Sequence, residues 1–196
     1  MNCNRALASA LLAASLCLTP AVSRPAARSV VRVNPPDLEL VDQNGKKGRF
    51  LTDFLGDRAT AVTFTYTTCT TICPVLDGIF QKLQDKIAHR LGRDLGLVTL
   101  SIDPVTDIPP RLKAHAVKLR ARPGWTFLTG SRENMTKVLK SIDMYAVDIL
   151  NHPPTVFIVD PKKGQWIRLN GFPSSKQIQE LLEELRPGGS GTVARP

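Results

Sequence analysis

Two cysteines, Cys69 and Cys73, stand in Thr65-Tyr66-Thr67-Thr68-Cys69-Thr70-Thr71-Ile72-Cys73-Pro74. A spacing of four is one turn of an α-helix, so both sulfurs can share a side if the turn is helical. The stretch follows an apolar, β-branched run, Ala59 to Phe64, that predicts a buried strand. It precedes Val75, Leu76, Ile79, Phe80, Leu83 and Ile87, apolar at helical spacing. The pair therefore sits where strand gives way to helix. A helix N-terminus carries partial positive charge and unpaired N–H groups, and both favour thiolate over thiol. Thiolate is the form that binds metal and attacks disulfides. A structural staple would constrain the unfolded chain little across so short a loop. The pair points to a soft-metal site, a redox pair, or both.

Two thiolates alone leave an open site. Cu(I) accepts them and gains from a third donor such as imidazole. The chain has three histidines. His89, late in the first helix, and His115, in a helix beside Lys113 and Lys118, read as solvated surface residues. His152 lies in Asn151-His152-Pro153-Pro154, just before a β-branched run, Thr155 to Val159. In a thioredoxin-like sheet the loop entering that strand faces the dithiol, which makes His152 the candidate third ligand. Its competing reading is an exposed loop histidine beside two prolines. Met135 and Met144 are the only methionines beyond the first residue, too few for a Met-rich copper site.

Elements that could position these residues follow in order. Leu38 to Val41 alternates and turns at Asn44-Gly45, a hairpin signal. Asp53 to Asp57 reads as one helical turn closed by Gly56. The cysteine helix is expected from about Val75 to Leu91-Gly92. Leu95 to Ile102 is a second continuous apolar run, so two buried parallel strands joined by a helix form a right-handed βαβ unit. A loop, Asp103 to Pro110, leads to a helix over Arg111–Leu119 and a strand over Trp125–Leu128. Ser131 caps a helix through Ile142. Thr155–Val159 and Trp166–Leu169 form an antiparallel hairpin. Ser174 with Gln177 opens a last helix whose apolar face holds Ile178, Leu181, Leu182 and Leu185. The sum is an α/β fold, a central mixed β-sheet with helices on both faces, and a thioredoxin-like placement of the dithiol. Three residues separate the cysteines here, where the usual thioredoxin-type motif has two.

The chain of 196 residues carries a net charge of +9 with 26 Lys and Arg against 17 Asp and Glu. The cations are scattered and no nucleic-acid motif is visible, so they read first as a solvated basic surface; if the charge has a use, it is steering toward an acidic protein partner. Arg5, an apolar run from Ala6 to Leu18, and Ala21-Val22-Ser23 read as an export signal or uncleaved membrane anchor over residues 1–23. Leu16 is too bulky to make Cys17 a lipidation site. Cys3 and Cys17 fall within this leader, which leaves Cys69 and Cys73 in the mature chain. Residues 24–36 read as a linker, 37–186 as the domain, and 187–196 as a disordered Gly-rich tail. An exported chain reaches an oxidising, periplasm-like compartment, where an exposed dithiol needs a reason to stay reduced.

Three motifs together resemble the Sco/SenC family. Cys69-Thr-Thr-Ile-Cys73-Pro74 is similar to its C-x-x-x-C-P motif. Ser101-Ile-Asp103-Pro104-Val-Thr-Asp107-Ile-Pro109 resembles its D-P-x-x-D-x-P, and His152 with Val156-Phe-Ile-Val-Asp160-Pro161 its ligand histidine, strand and turn. The resemblance covers roughly Leu38 to Leu185. It implies a thioredoxin-fold protein that binds Cu(I) or Cu(II) through Cys69, Cys73 and His152. It further implies a metallochaperone delivering copper to a cytochrome c oxidase subunit, reducing its cysteines, or both. Other copper chaperones or thiol reductants would be further partners, with a membrane tether in many members. Asp103 and Asp107 would shape the rim or cap a loop. The family's Asp before the histidine is Asn151 here, which removes a charge and implies weaker Cu(II) binding. Pro154 resembles the cis-proline that faces the dithiol in thioredoxins. The alternative function is a periplasmic thiol–disulfide oxidoreductase with Cys69 as nucleophile and Cys73 as resolving thiol.

Overall fold

The computed structural model describes residues 27–185, in the order β1 (Ala27–Val31), β2 (Glu39–Asp42), β3 (Lys47–Arg49), β4 (Ala59–Thr65), α1 (Ile72–Lys86), β5 (Leu95–Ser101), α2 (Pro109–Lys118), β6 (Trp125–Thr129), α3 (Arg132–Ser141), β7 (Thr155–Asp160), β8 (Gln165–Asn170) and α4 (Ser175–Leu185). The leader expected over 1–23 and the tail expected over 187–196 lie outside the described residues.

All seven residues of β4 and all seven of β5 are buried. Strands covered on both faces belong at the centre of a sheet, and these pair in parallel, from Ala59 opposite Leu95 to Thr65 opposite Ser101. The eight strands form one mixed sheet in the order β1-β8-β7-β4-β5-β6-β2-β3. β6 extends the parallel part beside β5, while β7 lies antiparallel against the other side of β4.

Period-2 alternation sends the two sets of strand side chains into two cores. Ala59, Ala61, Leu95, Leu97, Val156 and Ile158 face α1, α2 and α4. Val62, Phe64, Val98, Leu100 and Phe157 face α3 and a wide helical turn over Phe50–Leu55. Each fully buried Leu or Phe contributes about 1.5–3 kcal/mol, so the two layers dominate the stability. One polar atom between them is paired: Trp125 Nε1 donates to Thr99 Oγ1 at 2.9 Å. Ser131 caps α3 and Ser174 accepts from the Gln177 N–H, as the sequence predicts.

Three expectations are corrected. Ala27–Val31 falls in the stretch read as a linker, yet it forms the edge strand β1, antiparallel to β8 from Ala27 opposite Asn170 to Val31 opposite Trp166. It lacks apolar periodicity because four of its five residues are exposed. Helix α1 begins at Ile72, three residues before the expected Val75, which places Cys73 inside its first turn. It also ends earlier, at Lys86, and tight turns carry the chain on to Gly92 at φ 80°. The wide turn over Phe50–Leu55 starts ahead of the expected Asp53, and the Gly56 N–H closes it on the Leu51 carbonyl.

Gly124 holds φ at 96°, and a methyl placed there would stand 2.7 Å from the Gly92 Cα. Gly124→Ala should therefore cost about 2–4 kcal/mol, read as a lower urea midpoint at constant m. Gly45, at φ 82° with nothing within 4 Å of an added methyl, should lose only the about 1–2 kcal/mol of left-handed strain. Equal losses in the two alanine variants would refute the close approach of the two loops.

Candidate metal and thiol centre

Strand register brings the distant residues together. Thr60 lies opposite Val159 and Val62 opposite Phe157, so the start of β7 lies beside the end of β4. The loop leaving β4 carries Cys69, and the loop entering β7 carries His152. The result is a 4.0 Å separation between Cys73 Sγ and His152 Nε2 across 79 residues of chain.

The Cys69–Cys73 loop borrows its shape from the helix it opens. Thr71, at the N-cap of α1, makes no side-chain cap hydrogen bond. Instead the Cys73 N–H donates to Cys69 Sγ at 3.4 Å. A sulfur thus meets one of the orphan donors that a Ser or Asp oxygen usually satisfies. The Cys69 N–H in turn donates to the Tyr66 carbonyl at 2.9 Å. Cys73 is buried at 2% exposure, while Cys69 is part-exposed at the rim; both are free thiols.

Their environments push the two thiols apart. Burial works against a Cys69 thiolate, but hydrogen bonds from the Cys73 thiol, the Cys73 and Thr71 N–H groups and the Tyr66 hydroxyl prevail, and its pKa falls to about 7. Burial and the hydrogen bond to Cys69 raise Cys73 to about 12. Tyr66 rises to about 12, chiefly through its hydrogen bond to Cys69, then through burial. Burial lowers the His152 pKa, with the Pro153 carbonyl opposing, so the ring is held neutral. Its Nδ1 faces the Pro153 carbonyl at 3.4 Å, which assigns the ring proton there and leaves the Nε2 lone pair toward sulfur. The Tyr66 ring meets the imidazole edge-on at 5.9 Å.

Nitrogen and sulfur bonds of about 2.0–2.3 Å put two donors of one ion about 3.5–4 Å apart. The Cys73–His152 pair stands at that separation, a soft sulfur and a neutral imidazole facing one point. Cys69 stands at the rim beside them, its sulfur accepting from the Cys73 N–H. Among the described residues no three His, Cys, Asp or Glu are drawn into a closed cage.

Asp107 is fully buried and grips the cysteine loop: it accepts from the Thr67 N–H at 3.0 Å, from Thr67 Oγ1 at 2.6 Å and from Ser101 Oγ at 2.7 Å. Asp103 caps its own loop by accepting from the Thr106 N–H at 3.3 Å. Loop capping was one expected role for both. The grip of Asp107 on the cysteine loop, forty residues away, was not foreseen.

Two further expectations change. Pro154 follows a trans peptide bond. Its carbonyl accepts from the Gly171 N–H at 2.8 Å, which continues the β7–β8 ladder one step beyond Thr155 and Asn170. His89 is exposed, as expected. His115 is not a free surface residue: its Nε2 lies 3.0 Å from the buried Asp77 carboxylate, and its ring packs edge-on against Phe127. Asp77 stands four residues beyond Cys73 on α1, a spacing that could have flagged the pair. The expectation attached to Asn151 falls on a side chain outside the described residues.

This fold and this centre define a thioredoxin-like protein with a C-x-x-x-C dithiol facing an imidazole. The chain belongs to the SCO1/SenC family, whose model matches residues 32–187. A protein of Stutzerimonas stutzeri named "Putative copper-binding protein" is 33% identical over 109 residues, 56% of this chain and 52% of that protein. The match thus spans about half the length of that relative. The SCO2-like protein of Rickettsia felis is 26% identical over 159 residues, 75% of this chain and 74% of its own. Among solved structures, a SCO1/SenC family lipoprotein from Bacillus anthracis str. Ames matches with a TM-score of 0.68 at 24% identity, covering 80% of this chain and 96% of the other. Arabidopsis thaliana ScoI with copper bound gives 0.65 at 20% identity, covering 78% and 96%. These structural likenesses show the fold. No helix among the described residues is long and apolar enough to cross a membrane.

Alkylation of the reduced protein should read the split between the thiols. Cys69 labelling by iodoacetamide should rise with pH through a midpoint near 7, as thiolate forms. Cys73 should stay unmodified at neutral pH. A Cys69 midpoint at the ordinary value of about 8.5 would show that the N–H groups of the first turn do not hold the thiolate.

Proposed function

We propose that the protein is a copper metallochaperone, loading a copper ion on Cys69, Cys73 and His152 and passing it to the dinuclear copper site of a cytochrome c oxidase subunit. The observation that carries this reading is the 4.0 Å approach of a neutral imidazole to a buried sulfur beside a low-pKa thiolate. Two family relatives are described with copper bound, Arabidopsis thaliana ScoI and yeast Sco1. BsSco is described as a member of the Sco family of cytochrome c oxidase assembly proteins.

Copper is cargo here, and the donors load in the order their protons leave. Cys69 offers thiolate near pH 7 and His152 offers a free lone pair. Cys73 keeps its proton until the cation displaces it, so loading releases a proton from Cys73. Two sulfurs and one nitrogen suit Cu(I), and an acceptor with more or softer donors can draw the ion off through the part-exposed Cys69. The expected setting is a periplasm-like space after export, with the leader cleaved or kept as a tether. Other copper chaperones and thiol reductants would load or reset the site.

The 7-against-12 split of the two thiols also favours a second reading, thiol–disulfide exchange. The Cys69 thiolate attacks a partner disulfide, bonds to one sulfur and releases the other as thiolate. Cys73 then loses its proton and attacks the Cys69 sulfur. That step closes a Cys69–Cys73 disulfide and frees the reduced partner, with two electrons passing to it.

Titration of the reduced protein with Cu(I) should give one tightly bound equivalent. Outer-shell losses alone cost about 10–100-fold in metal affinity, so Cys69→Ser, Cys73→Ser and His152→Ala should each cost more. Undiminished affinity in His152→Ala would remove the imidazole from the site. For the second reading, Cys73→Ser should accumulate a mixed disulfide with an oxidised client while His152→Ala turns over normally; no trapped species in Cys73→Ser would exclude it.

A further inference from the structure

Three threonine hydroxyls, on Thr63, Thr65 and Thr129, are buried without a hydrogen-bond partner among the described residues. A buried hydroxyl left unpaired destabilises a fold, and valine would fill the same strand positions without that loss. Thr63 and Thr65 are both fully buried on β4. A period of two puts them on the face of Ala59 and Ala61, which share a core layer with Leu76 and Phe80 of α1. Thr65 ends the strand, where that helix begins, and its polar neighbour there is the Cys73 sulfur. Its backbone is pinned, since its carbonyl accepts from the Ile102 N–H at 2.9 Å. A β-branched side chain on a strand is also stiff about its first torsion. The hydroxyl is therefore held in place without a bond of its own.

Both proposed chemistries put charge on Cys73, in an enclosed place. Burial and the hydrogen bond to Cys69 oppose that charge, while the Tyr66 N–H and the Thr65 hydroxyl ease it. The Cys73 N–H, in the first turn of α1, is given to Cys69 instead. Copper loading turns Cys73 into a bound thiolate. Reduction of a Cys69–Cys73 disulfide makes it the leaving group. A reductant thiolate attacks the part-exposed Cys69 sulfur and bonds to it. The Cys69–Cys73 bond breaks, and its electron pair stays on Cys73, which then takes up a proton. The second thiol of a dithiol reductant displaces Cys69, so the protein gains two electrons and the reductant becomes its own disulfide. The same charge stands on Cys73 in the reverse sense when it resolves a mixed disulfide.

We propose that the Thr65 hydroxyl is a standing donor for the Cys73 sulfur, idle while that sulfur is a thiol and hydrogen-bonded to it when it becomes a metal-bound thiolate or a leaving group. An orphan hydroxyl in the resting protein is then the counterpart of a charge that exists only during loading and exchange. The inference rests on the sulfur chemistry proposed above and adds the residue that makes an enclosed sulfur usable in it.

The test uses the full chain, oxidised and metal-free with dithiothreitol as reductant, and reduced with Cu(I) as ligand. Thr65→Val removes the hydroxyl and keeps the branched shape, while Thr65→Ser keeps the hydroxyl. Thr63→Val removes an equally buried orphan from the same face. Thr65→Val should slow reduction about three- to tenfold, because roughly half of the charge has reached the leaving sulfur in the transition state. The oxidised-to-reduced ratio at equilibrium and pH 7 should not move, since Cys73 is uncharged in both end states. Cu(I) affinity should fall about ten- to a hundredfold. Thr65→Ser should restore both, and Thr63→Val should match the wild type. A Thr65→Val protein that is reduced and binds Cu(I) as the wild type does would overturn the role, and so would a Thr63→Val protein with the same losses. A wild-type chain that takes up no Cu(I) and trades no disulfide with a client would instead defeat the proposed function, while the dithiothreitol rates would still decide on Thr65.

Discussion

The antiparallel pairing of β7 with β4 is the constraint on which the centre depends. A strand's side-chain period is two, so a one-residue slip would turn every side chain of β7 to the wrong core. Phe157 would leave its edge-on contact with Phe64 and with Trp166, and Val156 and Ile158 would leave the layer shared with α1 and α4. Both cores therefore oppose a slip. Because the register is held so firmly, the position of His152 relative to the β4 loop is inherited from packing far from the site.

A second layer of control is electrostatic. Two thiols in one short loop would titrate together in water. Here the first turn of α1 offers its N–H groups to Cys69, and the same turn carries the Cys73 side chain into an apolar layer with Tyr66, Phe64 and Ile102. One sulfur is part-exposed and ionises near neutrality, the other is enclosed and protonated. That division suits ordered loading of a soft cation and ordered disulfide exchange alike, so the same pair supports both proposed chemistries. Asp107 keeps the division in place by fastening the loop through Thr67, and the His115–Asp77 pair fastens α1 to α2 one turn below Cys73.

Most of the architecture was legible because its signals are local. Continuous β-branched runs marked β4, β5 and β7, the Asn44-Gly45 turn marked the first hairpin, and the Ile178, Leu181, Leu182 and Leu185 spacing marked α4. Motif order carried the candidate triad, and the fold brings Cys73 and His152 into contact distance. What escaped was set by partners distant in the chain. β1 is exposed on nearly every residue and exists because β8 offers an edge. His115 read as solvated because Lys113 and Lys118 flank it, whereas its partner Asp77 lies on another helix. Helix α1 starts early because a cysteine sulfur stands in for the usual cap, which no propensity scale anticipates. The trans bond at Pro154 is the ordinary X–Pro isomer, and the motif likeness alone had suggested cis.

The closure of Gly171 onto Pro154 has a consequence for the way this fold chooses its company. A thioredoxin-like surface that pairs with extended chains accepts many sequences, because main-chain atoms are common to all of them. With the Pro154 carbonyl given to the end of β8, the side chains of the surrounding loops would carry more of any recognition. Such loops tolerate substitution without disturbing the sheet beneath. A protein built this way can be retuned from one client to another by changes at its rim, while the sulfurs and the ring below stay as they are.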